Sequence, residues 1–186
     1  MEFLFTATMR FDKDADIFGF SWDQYVRWSG LSHLTEVVSL DHILNKVVVI
    51  PDYENPDDWN YIFSADEMST GLFTSLDFVL SRLKAGVTFN LLRVVVNPHE
   101  DCGLVASDDF DFIGYDLLDR DFAVSALTNC GGFDETFLPK DLNDKGLIDD
   151  FAFARKVHQM LPVHNPEEFH AVTHILAIWR HKTIGR

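Results

Sequence analysis

Two histidines four residues apart, His170 and His174, follow Glu167 and Glu168 in the run "EEFHAVTHILAIWRH", a spacing that serves a metal on one secondary structure but not on another. On a helix, Cβ atoms four apart lie about 5–6 Å from each other, close enough to share a zinc ion. On a strand they lie roughly 13 Å apart and cannot. A stripe of Val172, Ile175, Leu176 and Trp179 fits the helix. Val172, Thr173, Ile175 and Ile178, with the unbroken apolar run from Ile175 to Trp179, fit a buried central strand, and the strand is the expectation. Ala171 stands where a zincin HExxH carries its glutamate. Neither a metal nor a cofactor is expected. Five of the eight histidines fall between 158 and 181, so this segment could gain positive charge under mild acid. For His158 itself, a half-buried ring satisfied by a hydrogen bond is expected.

Two thiols are the candidate nucleophiles. Cys130 stands between Asn129 and the Gly131-Gly132 pair in "ALTNCGGFDE", where a tight turn could expose it beside free backbone N–H groups. Cys102 sits in "NPHEDCG" with His99, Glu100 and Asp101. Neighbours on an extended chain point opposite ways, so these four are not expected to converge on one ion. Either thiol would need a lowered pKa and a histidine in contact. The carboxylates Asp108, Asp109, Asp111, Asp116, Asp119 and Asp121 form the densest acidic run. "DDFDFIGYDLLD" lacks the central glycine and twelfth-position glutamate of a calcium loop in register, which leaves a solvated sheet face or a surface for a basic protein. On that second reading Asp109, Asp111, Tyr115, Asp116 and Asp119 meet the partner.

These residues need elements to hold them. "FLFTATMRF" alternates as a half-buried strand, and "KVVVI" (46–50) and "TFNLLRVVV" (88–96) read as strands covered on both faces. "DFDFIGYDLL" alternates too, with Phe110 and Phe112 opposite Asp109 and Asp111. Ser21 and Gln24 make a capping box, and Gly30 stops the short helix it begins. Further helices are predicted from Asn55 through Phe63, over 72–84, and from Leu147 to Leu161 with Pro162 as the stop. Strands at both ends and in the middle, without regular βα alternation, predict a single α+β domain over 1–186. Its sheet would be mixed or antiparallel, of about five strands, with several packed helices.

Charge narrows the partners. The net charge is -15, and residues 101–150 alone carry 13 acids against 3 bases, while residues 151–186 carry 2 against 5. Such a surface repels phosphate backbones and anionic membranes and attracts basic proteins. A 47% apolar content with seventeen phenylalanines builds a core without disulfides. No apolar run approaches the roughly 18 residues that would span a bilayer. Glu2 stands where a signal peptide would be positive, and two cysteines without framework spacing favour the cytoplasm. No Walker loop, GxSxG, HExxH or CxxC pair occurs.

The stretch "DFIGYDLLDRDFAVSALTNCGGF", with "LNDKGLIDDF" and the terminal "AIWRH", resembles a pattern in small uncharacterised bacterial cytoplasmic proteins. In size and acidity the chain also resembles immunity proteins that neutralise basic toxins. The resemblance implies that Cys130 lies in a fixed loop between two elements, and it carries over no catalytic residue. Two functions follow as expectations. One is a non-enzymatic, immunity- or inhibitor-like domain that binds a basic protein through its acidic surface. The other is a small hydrolase or transferase with a nucleophile at Cys130 or Cys102.

Overall fold

A computed structural model of the chain describes residues 2–17, 19–44, 47–50, 71–103, 105, 107–129, 136–164 and 166–185. The alternating N-terminal run forms β1 (Leu4–Met9), followed by three two-residue strands, β2 (Phe11–Asp12), β3 (Asp16–Ile17) and β4 (Phe20–Ser21). Helix α1 (Trp22–Ser29), β5 (Glu36–Val37) and helix α2 (Leu76–Ser81) come next. The chain then runs through β6 (Phe89–Val96), β7 (Phe110–Asp119), helix α3 (Phe151–His164) and β8 (Thr173–His181). Strands β1, β6, β8 and β7 hydrogen-bond in that order into one antiparallel sheet, and β2–β5 and β3–β4 are short antiparallel ribbons. The fold is α+β with an antiparallel sheet, four-stranded where about five were expected.

Both faces of the sheet are covered, which is why its central strands read as continuous apolar runs. On one face Ala7, Leu91, Val95, Ala177 and Trp179 pack beneath α2 and α3. On the other, Leu4, Leu92, Val94, Leu176 and Ile178 meet Val38, Leu40, Leu72, Phe122 and Leu147. Strand β1 is therefore not half-buried: Thr6 and Thr8, on its polar side, are closed off from solvent. Arg93 survives inside "LLRVVV" because rings surround it, with Phe3, Trp179 and Phe110 centroids 4.3, 4.9 and 5.1 Å from its guanidinium carbon.

A β-bulge in β7 resets which of its side chains share a face. The register with β8 shifts between Phe112 and Gly114, so Phe112 shares a face with Tyr115 and Leu117, while Asp116 turns to the opposite face. Gly114 has φ +134°, and a Cβ there would lie 2.8 Å from Leu147 Cβ and 3.0 Å from the Ile148 carbonyl oxygen.

Helix α1 matches its sequence signals. The Ser21–Gln24 capping box closes its start, and Gly30, at φ 72° in the left-handed region, closes its end. Helix α2 is shorter than the predicted 72–84. Ser75 caps it, while Phe73 pairs with the backbone of Phe5 at the edge of β1 and Leu83 bridges Val48. That single bridge is all the strand structure the described part of "KVVVI" shows, so the strand predicted over 46–50 is corrected. The helix predicted from Asn55 to Phe63 lies outside the described residues. Helix α3 starts at Phe151 rather than Leu147, because Ile148 exchanges backbone hydrogen bonds with Tyr115 of 2.8 and 3.0 Å. Pro162 falls inside its last turn instead of ending it.

Candidate functional site

Helix α1 and the ribbons beside it build an aromatic pocket. Spacing along one helical turn brings Tyr25 and Trp28 together, with ring centroids 6.1 Å apart. Phe11 of β2 meets Trp22 and Tyr25 edge-on, at 5.3 and 5.2 Å. Phe20, on the short β3–β4 hairpin just before the helix cap, forms another wall. The resulting cavity holds about 310 Å³, is lined mainly by apolar surface, and has Asp41, Thr128 and Asn129 at one side. Phe20 and Trp28 remain 39% and 45% exposed at its mouth.

Beneath this pocket lies a network of buried carboxylates. Asp116, fully buried, accepts from Ser39 Oγ (2.8 Å) and the Leu40 N–H (3.2 Å) on one oxygen. Its other oxygen accepts from Ser125 Oγ (2.7 Å) and the Leu117 N–H (2.9 Å). Burial pushes its carboxyl up, and these four donors pull the other way by favouring the ionised form. Asp41 accepts from the Ile43 N–H (2.9 Å), the Ser125 N–H (3.0 Å) and Asn129 Nδ2 (2.8 Å). Asp119 accepts from the Ala123 and Val124 N–H groups at 2.7 and 3.1 Å. Together these bonds staple residues 39–43 to the stretch from β7 to Asn129. The Tyr25 hydroxyl then donates to the Thr128 carbonyl (3.1 Å) and fixes α1 over that floor.

The five residues expected on a partner-binding surface therefore divide. Asp109 and Asp111 are exposed, with Lys182 Nζ 3.7 Å from Asp111. Tyr115, Asp116 and Asp119 are buried, at 0%, 0% and 3% exposure, and cannot present themselves to a partner. The sequence alternation that suggested otherwise breaks at the Gly114 bulge, and the second half of β7 is covered on both faces. Tyr115 instead donates from its hydroxyl to Asp101 Oδ1 (2.7 Å) and accepts the Cys102 N–H (2.9 Å). Cys102 is a buried free thiol. Burial, then the nearby Asp101 and Glu100 charges, push it up, away from the reactive thiolate. Cys130 lies outside the described residues.

The histidine pair is split between a strand and the turn before it, rather than carried on one strand as expected. His174 lies on β8 and His170 in a 3-10 turn (Phe169–Ala171), and among the described residues no group of three or more His, Cys, Asp or Glu could hold a metal. His174 stacks on Phe122, with centroids 4.1 Å apart. The Asn97 side-chain oxygen accepts the Ile175 N–H (3.1 Å), so its amide nitrogen faces His174 Nδ1 (2.9 Å). That nitrogen must accept, leaving the proton on Nε2 and the ring neutral. His158 shares a hydrogen bond with Thr173 Oγ1 (2.9 Å), as expected for a half-buried ring. Burial lowers the pKa of both histidines.

The aromatic pocket was not foreseen, although "FSWDQYVRW" places four rings in nine residues. Its signal was density of aromatics on a short capped helix, some of which exceed what one helix can bury. Geometry alone defines the class: an antiparallel α+β domain with an open aromatic pocket over a buried polar floor. No family model matches the chain, and no curated protein or solved structure matches it either. Among the described residues no helix is long and apolar enough to cross a membrane.

Proposed function

We propose that the protein is a non-enzymatic binding domain of immunity or inhibitor type, and that its aromatic pocket receives a lysine or arginine side chain of a basic protein partner. One observation carries the reading: two exposed aromatic rings, Phe20 and Trp28, and two buried ones, Phe11 and Tyr25, line an open cavity of about 310 Å³ in a chain of net charge -15. Aromatic faces attract a cation and pack along its apolar stem, and such rings dominate binding energy where a partner's anchor is desolvated. The buried Asp41 carboxylate in the pocket wall, already holding three donors, adds only its field, whose sign favours a cation. Exposed Asp109 and Asp111 contribute to the long-range field that draws a basic partner in. A reducing, cytoplasmic setting suits the free thiol of Cys102. Of the alternative, a hydrolase or transferase with a nucleophile at Cys130 or Cys102, the Cys102 form has that thiol's burial and raised pKa against it, and Cys130 lies outside the described residues.

The test is a calorimetric titration with short peptides identical except for arginine, lysine or glutamate at the centre. The arginine and lysine peptides bind, and Trp28→Ala weakens them roughly tenfold or more, as for a hot-spot aromatic. Equal binding of the glutamate peptide, or indifference to Trp28→Ala, contradicts the reading.

A further inference from the structure

A second cavity, of about 540 Å³, opens between α3, the start of β8 and the turn after β6. Its chemistry is opposite to that of the chain as a whole. Arg155, His158 and Gln159 come from one face of α3, at spacings of three and four residues. His99 comes from the turn and Thr173 and His174 from β8, and among the described lining residues there is no acid. In a chain with 30 acids and 15 bases, a cleft without a carboxylate is a local reversal of sign.

The charged group in this cleft is uncommitted. Arg155 is exposed and makes no ion pair among the described residues; its guanidinium carbon lies 5.9 Å from the Phe151 ring centroid. Its guanidinium lowers the His158 pKa further, after burial, and His158 in turn acts on His174. The nearest acid to act on His174 is Asp119 of β7, whose carboxylate is already occupied by the Ala123 and Val124 N–H groups. With both rings neutral, Arg155 supplies the fixed positive charge. His158 lines the cleft with its Nδ1 engaged by Thr173 Oγ1, so Nε2 is its nitrogen for a ligand.

We propose that this cleft binds a phosphoryl group of a small molecule, gripped by the Arg155 guanidinium and oriented by His158, His99 and Gln159 as hydrogen-bond donors. Guanidinium groups match tetrahedral oxyanions in geometry as well as charge, and side-chain N–H donors complete the shell. The site is independent of the aromatic pocket, so either can fail without the other.

The experiment is a titration of the full chain with inorganic phosphate and with a sugar monophosphate, read on the histidine ring nitrogen resonances by NMR. Sodium chloride at equal ionic strength is the reference. Saturable shifts at His158 and His99, weakened about tenfold in Arg155→Met, support the proposal. Methionine keeps the helix propensity and most of the stem, so the variant tests the charge rather than the fold. Tighter binding of the sugar monophosphate assigns a phosphorylated metabolite as the ligand, and equal binding assigns free phosphate. No saturable shift, an equal response to chloride, or an undiminished response in Arg155→Met overturns it. Trp28→Ala leaves the phosphate response unchanged.

Discussion

Four donors converge on the Asp116 carboxylate in a place no solvent reaches, so its removal strands them. Asp116→Ala is expected to cost roughly 3–5 kcal/mol in urea denaturation, because each buried donor left without an acceptor costs about 1–3 kcal/mol. Asp111→Ala, on the exposed end of the same strand, is expected to stay within about 0.5 kcal/mol. Comparable losses at the two positions would contradict the division of these acids into floor and surface. Composition could not have drawn that line: both are aspartates on one predicted strand, the bulge leaves them on one face, and only the cover over the second half of β7 separates them. Histidines supply a second prediction at this scale. Burial lowers the folded-state pKa of His158 and His174, so the unfolded chain takes up protons first as pH falls. Their contribution is complete above the ordinary histidine range near about 6.5 and is lost as pH drops from there towards the folded values. The urea midpoint therefore falls between about pH 7 and pH 5, and less steeply in His158→Gln. A midpoint that rises over this range would contradict the neutral rings.

At the scale of elements, Gly114 is where backbone geometry governs the sheet. A Cβ at this position would press on Leu147 Cβ at 2.8 Å and the Ile148 carbonyl at 3.0 Å, in a backbone conformation that side chains resist. Gly114→Ala is expected to destabilise by about 2–4 kcal/mol, and an unchanged denaturation midpoint would refute the close approach. Elements whose ends are marked by local chemistry were legible in the sequence. Helix α1 carries its own capping box and terminal glycine, and β6 and β8 carry the apolar runs of strands covered on both sides. Elements whose ends are set by distant partners were not. Phe73 and Leu83, within the helix predicted over 72–84, pair instead with Phe5 and Val48, and Ile148, within the helix predicted from Leu147 to Leu161, pairs with Tyr115. Such pairings bring together residues dozens of positions apart, and helical periodicity contains no record of them.

For the molecule as a whole, the acidity seen in the sequence is real but is used in two ways. Part of it is buried as hydrogen-bonded structure beneath the pocket, and part remains on the surface as a field that attracts cations. Net charge could not distinguish these uses, and it also hid the cleft beside α3, whose described lining holds no carboxylate. The aromatic pocket stayed hidden for a related reason: its walls come from β2, β4, α1, β5, residues 41–44 and residues 128–129, and only the fold gathers them. Raising the salt concentration is expected to slow association with a basic peptide more than it speeds dissociation, since screening acts on the field and less on a desolvated anchor. The tryptophan indole N–H resonances offer the most direct test, because Trp28 lies at the pocket mouth and Trp179 is fully buried in the sheet. Titration with an arginine-bearing peptide should move the Trp28 signal saturably and leave Trp179 in place. A Trp28 signal that stays fixed while the peptide binds would show that the aromatic pocket is not where a basic partner is held.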